Sequence, residues 1–89
     1  MERIHILISG RVQGVFFRQS TKRKADELDI VGWIRNLPNG RVELVAEGDG
    51  KKLALFIDYC KKGPDYADVT NISVLKESYS GKFSSFNIF

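Results

Sequence analysis

The residues best placed to do chemistry gather in one short stretch, GRVQGVFFR, from Gly10 to Arg18. Gly10 and Gly14 frame Arg11, Val12 and Gln13, and the large apolar residues Val15, Phe16 and Phe17 then lead into Arg18. No proline interrupts the run, so every residue offers a backbone N–H, and the two glycines let the chain bend until several of those groups turn inward. Such a nest binds anions. Arg18 adds a planar fork of donors suited to phosphate, at the start of a helix whose unpaired N–H groups and positive dipole end favour negative charge as well. Spacing alone supports a second reading equally, a tight strand-to-helix turn in which Val15, Phe16 and Phe17 plug the core.

The elements that would position this loop follow from periodicity. Ile4, Ile6 and Ile8 alternate with Arg3, His5, Leu7 and Ser9, which marks a half-buried strand ending where the loop begins at Gly10. Phe17, Thr21, Ala25 and Leu28 recur at helical spacing, predicting a helix over Arg18–Asp29. Residues Ile30 to Leu37 read as strand two, Pro38-Asn39-Gly40 as a hairpin turn, and Val42, Leu44 and Ala46 as strand three. Asp49 is a candidate N-cap for a second helix carrying Leu53, Phe56, Ile57 and Cys60 on one face and ending near Gly63-Pro64. Residues 68–76 form a strand whose irregular alternation suggests a bulge, and Ser80-Gly81 turns into a last strand containing Phe86 and Ile88. The order β-α-β-β-α-β plus a terminal strand predicts the α+β class: a ferredoxin-like sandwich with two helices on one face of an antiparallel sheet. In that topology strands one and two run parallel, so Asn36 comes to the same end of the sheet as the loop.

Composition bounds the rest. Eighty-nine residues, 43% hydrophobic and 28% charged, suit a single globular domain over residues 1–89, not a disordered or membrane chain. The apolar run from Ile4 to Ile8 is too short for a signal segment or membrane span, so a cytoplasmic protein is expected. Cys60, the only cysteine, allows no internal disulfide or thiolate cluster and reads as a buried, inert thiol. A net charge of +3 sets no partner class. The first helix is charged in reverse, with Arg18, Lys22, Arg23 and Lys24 ahead of Asp26, Glu27 and Asp29. An anion at its start would account for that order, although Lys22, Arg23 and Lys24 read as solvated surface charges and only Arg18 stands apart. His5 reads as structural, and Trp33, Tyr59, Tyr66 and Tyr79 as core or edge aromatics.

GRVQGVFFR followed by Thr21, then GWIRNLPNGRVELVAEG from Gly32 to Gly48, then CKKGPDYADV from Cys60 to Val69, resemble the acylphosphatase family in order and spacing across essentially the whole chain. The resemblance implies hydrolysis of acyl phosphates, with Val12, Gln13, Gly14, Val15, Phe16 and Phe17 forming a phosphate cradle, Arg18 binding the phosphate and Asn36 holding the attacking water. It implies no metal and no cofactor, small acyl phosphates as partners with inorganic phosphate or sulfate competing, no nucleic-acid or membrane partner, and a monomer. Two positions depart from the common pattern: Phe16, where many microbial members have glycine, and Asn39, where aspartate is commoner. The chemistry is consistent with so few residues, since the departing carboxylate has a conjugate-acid pKa of about 4 and needs no general acid. The rival RNA-binding reading of the same sandwich lacks its aromatic signature, strand three being GRVELVAEG. A regulatory domain that binds an anion at this loop without turnover is the third reading.

Overall fold

Alternation decides the first strand. In the computed structural model, which describes residues 1–89, β1 spans Glu2–Arg11 with Ile4, Ile6 and Ile8 buried. It runs two residues past the expected end because Gly10 and Arg11 still pair with Val69 and Asp68 of β4. The register slips between Ser9, opposite Asn71, and Gly10, opposite Val69, so Thr70 is the extra residue of the bulge expected in this segment. Gly10 is required there: a Cβ on it would lie 2.1 Å from the Asp68 carbonyl oxygen.

Helix α1 covers Phe17–Glu27 and buries Phe17, Thr21 and Ala25. It stops short of the expected Asp29, because Leu28 closes it by donating to the Lys24 and Ala25 carbonyls and Asp29 turns left-handed at φ 55°. Strands β2 (Val31–Asn36) and β3 (Val42–Gly48) form the expected hairpin, in which the Asn39 side chain accepts from the Arg41 N–H. Helix α2 (Gly50–Lys62) is capped by Asp49, whose carboxylate accepts from the Lys51 and Lys52 N–H groups. Strands β4 (Asp68–Glu77) and β5 (Phe86–Ile88) complete a five-stranded sheet of order β4-β1-β3-β2-β5.

One feature of the expected sheet needs correction. The three pairings β4-β1, β1-β3 and β3-β2 are antiparallel, but β5 pairs in parallel with β2, so the sheet is mixed. The cause is the route of the chain: β4 ends opposite Arg3 at one edge, and residues 78–85 carry it past the ends of the inner strands to start β5 at the far edge beside Gly32. That crossing is fastened by Glu47, which is only 1% exposed. Its carboxylate accepts from the Ser80 N–H at 2.9 Å, the Ser80 hydroxyl at 2.8 Å and the Gly81 N–H at 3.1 Å, and pairs with Arg3 at 3.3 Å. Burial pushes the Glu47 carboxyl up, but these donors outweigh it and hold the group below the usual carboxylate range. The same balance, with His5 and Arg35 as donors at 2.7 Å each, lowers Glu43 on the open face of the sheet.

The helices pack on the other face, closing one core around the three β1 isoleucines, Phe17, Ile34, Leu44, Phe56 and Phe86. Cys60 lies inside it, its thiol pushed up to about 12 by burial, which keeps it unreactive.

Because its folded carboxyl is depressed, Glu47 stabilises the protein above the ordinary carboxylate pKa and loses that contribution as pH falls through the folded value. Urea unfolding of Glu47→Ala at pH 7 should show a loss of about 3 kcal/mol, since Arg3 and two backbone donors are left without their acceptor. Glu47→Gln should flatten the fall in stability below about pH 4 relative to the parent chain; an unchanged acid profile would contradict the account.

Candidate active site

The register of three strands builds the site. Val42 opens β3 opposite both Ile8 of β1 and Asn36 of β2, so β1 delivers the loop and β2 delivers Asn36 to one end of the sheet. The loop then crosses from Arg11 to Phe17. Gly14 supports the bend at φ 73°, while Val12 and Val15 are buried beneath it. The Gln13 side chain ties the loop to the hairpin, its Nε2 donating to the Leu37 carbonyl at 2.8 Å and the Arg41 carbonyl at 2.9 Å. Leu37 follows Asn36 directly, so this bridge sets the distance between the loop and Asn36.

What the loop leaves undone defines its chemistry. No backbone carbonyl accepts from the N–H of any residue from Val12 to Gln19. The first intrahelical bond is made by Ser20 to the Phe16 carbonyl, and no side chain caps the helix. Val12, Val15 and Phe17 are nearly wholly shielded, and shielded N–H groups are almost always paired in folded proteins, by ligand or water where protein acceptors are lacking. The first turn of α1 contains no acid to neutralise them.

Val12, Gly14, Phe16, Phe17, Arg18 and Asn36 line one pocket of about 290 Å³, together with Gln19 and Ile88. Six of the residues expected at the site therefore come together. Gln13 and Val15 do not line it: Gln13 spends its side chain on the hairpin, and Val15 sits in the core. Arg18 is half-buried, its Nη1 donating to the Phe89 backbone oxygen at 2.9 Å, which leaves the rest of the guanidinium fork for another acceptor. Asn36 also lines the pocket, and its amide oxygen is buried without any partner in the protein. Gln19 was legible as the next residue of the first helical turn, whereas Ile88 arrives on β5 from the far end of the chain and had no local signal.

Three sequence readings change here. Phe16 does not plug the core; it is 72% exposed at the mouth of the pocket, with left-handed backbone angles of φ 61° and ψ 21°. That conformation costs a non-glycine residue about 1 kcal/mol, the physical reason glycine suits the position. Lys22 is not merely a solvated charge, because it donates to the Phe86 carbonyl at 2.7 Å. Arg18 and Lys22, one turn apart, thus hold the two ends of β5, and carbonyl oxygens answer part of the reversed charge order of α1. Tyr66 belongs to no core, being 78% exposed.

With its helices on one face and this loop at the strand ends, the fold is a ferredoxin-like α+β sandwich. The family profile described as acylphosphatase matches residues 4–88. The chain is 49% identical over 88 residues to the acylphosphatase of Methylococcus capsulatus, spanning 99% of this chain and 96% of that one. It is 47% identical over 88 residues to that of Syntrophus aciditrophicus, spanning 99% and 92%. The crystal structure of acylphosphatase from Bacillus subtilis superposes with a TM-score of 0.96 at 37% identity, covering 100% of this chain and 99% of the other. The chain belongs to the acylphosphatase family. It is accordingly an enzyme, a hydrolase with acylphosphatase activity.

The Gln13 bridge carries its own test. Gln13→Ala removes two hydrogen bonds and should lower urea stability by about 1–2 kcal/mol. Gln13→Glu, which turns a donor into an anionic acceptor facing two carbonyl oxygens, should cost more than the alanine. A glutamate variant as stable as the parent chain would show that the side chain does not hold the loop.

Proposed function

We propose that the N–H groups from Val12 to Gln19 and the Arg18 fork bind the phosphate of an acyl phosphate, and that Asn36 holds the water that attacks it. The observation that carries this reading is the run of N–H groups without protein acceptors, six of whose residues line one pocket together with Asn36. Val12, Gln13, Gly14, Val15, Phe16 and Phe17 contribute through the backbone, so the side chains of Gln13 and Val15 are free to serve the fold.

The geometry supports a direct displacement. Donors held in place before substrate arrives meet the charge spread over the equatorial phosphate oxygens in a loose transition state, without reorganising. Asn36 lines the same pocket, where its side-chain amide can hold a water by a hydrogen bond with a lone pair in line with phosphorus. A bond forms between water oxygen and phosphorus, the bond from phosphorus to the acyl oxygen breaks, and the electron pair leaves on the carboxylate. The water's proton passes to a phosphate oxygen, so no side chain need act as base. His5 plays no part, being hydrogen-bonded to Glu43 on the open face of the sheet.

All these groups come from one chain, which supports a monomeric enzyme acting on small acyl phosphates. Inorganic phosphate and sulfate would compete as partial mimics of the substrate. No helix is long and apolar enough to cross a membrane. The lone buried thiol suits a cytoplasmic setting.

Steady-state kinetics on two variants test the assignment. Arg18→Lys keeps the charge but loses the fork and should cut turnover about a hundredfold or more. Asn36→Ala should lower kcat by about 10²-fold while inhibition by inorganic phosphate stays nearly unchanged, because only the water's contact is lost. Normal kcat in the folded Asn36 variant would remove it from the reaction.

A further inference from the structure

The cradle recognises only the phosphate, the half that all acyl phosphates share. Discrimination among them must come from groups at the mouth of the pocket, and the lining there is uneven. Val12 and Phe17 are buried, Ile88 is half-buried, and Phe16 alone is a large apolar side chain turned out to solvent, at 72% exposure. Its ring takes no part in the core and stacks on no other aromatic ring. Its backbone is held at φ 61° and ψ 21°, which glycine would adopt without strain. The loop needs this left-handed step, but glycine would make it without strain, and the exposed Phe16 ring packs against nothing in the core.

We propose that Phe16 determines acyl-group specificity: its ring forms an apolar wall at the mouth of the pocket, favouring acyl phosphates whose acyl group is aromatic or bulky and apolar over acetyl phosphate. This rests on the assignment of the pocket as the acyl-phosphate site. With the phosphate held by backbone amides and Arg18, in-line attack requires the acyl oxygen to lie opposite the water, so the acyl group projects out of the cradle to the mouth. There it meets the Phe16 ring and the Ile88 side chain instead of water. The left-handed backbone fixes the origin of the ring, so little ordering is needed when the acyl group packs against it.

The test compares kcat/KM for benzoyl phosphate and acetyl phosphate in the parent chain, Phe16→Gly and Phe16→Leu. The two substrates share the phosphate, so any loosening of the loop affects both and cancels in their ratio. The benzoyl-to-acetyl ratio should fall about 5–10-fold in Phe16→Gly, the size of one lost aromatic contact, and less in Phe16→Leu, which keeps an apolar wall. An unchanged ratio in both folded variants, with turnover of both substrates retained, overturns the specificity role while leaving the site assignment standing. Absence of turnover with either substrate in the parent chain overturns both.

Discussion

An unbroken run of backbone N–H groups without a protein acceptor, from Val12 to Gln19, is the constraint around which this molecule is arranged. Such groups are costly to shelter, and a chain that shelters them must hold the loop open against its own tendency to close hydrogen bonds. Several features of the fold bear on that task. Gly10 lets β1 run against the β4 bulge up to the loop, Gly14 makes the bend, and Phe16 enters the helix through a left-handed step instead of a capping side chain. Gln13 pins the loop to the hairpin, and Val12, Val15 and Phe17 bury its underside in the core. The outcome is a set of backbone donors, tied to the hairpin and the core, that has Arg18 as its one charged side chain at the pocket.

A second chain of contacts runs the length of the molecule to that one arginine. Glu47 grips Ser80 and Gly81 where the chain crosses the bottom of the sheet, which lets β5 start beside Gly32 and run upward in parallel with β2. Lys22 then holds the Phe86 carbonyl and Arg18 the Phe89 oxygen, so the guanidinium is aimed by a strand whose anchor lies at the opposite end of the sheet. The buried Glu47 carboxylate is thus connected through backbone hydrogen bonds to the strand whose end Arg18 holds.

Much of this was legible in the amino-acid order, for local reasons. Alternating isoleucines mark β1, helical spacing marks the stripes of α1 and α2, Asp49 announces its helix, and the glycines with Arg18 single out the loop. The position of Asn36 beside that loop follows from strand order alone. What escaped depends on partners distant in sequence. Glu47 looks like one more polar residue at the end of a strand until Ser80 folds over it, and the parallel pairing of β5 has no signature in three residues. The side chain of Gln13 reaches carbonyls 24 and 28 residues away. Phe16 misled for the opposite reason: flanked by Val15 and Phe17, it looks like core, but the left-handed turn that the loop requires rotates it outward.

Attack at phosphorus, and not at the acyl carbon, is read out by the fate of an oxygen label. Hydrolysis of benzoyl phosphate by the enzyme in 18O-enriched water should place the label in the inorganic phosphate and leave the benzoate unlabelled, because the bond that breaks joins phosphorus to the acyl oxygen. Label recovered in the benzoate would mean attack at the carbonyl carbon, and would contradict a site built to cradle the phosphate.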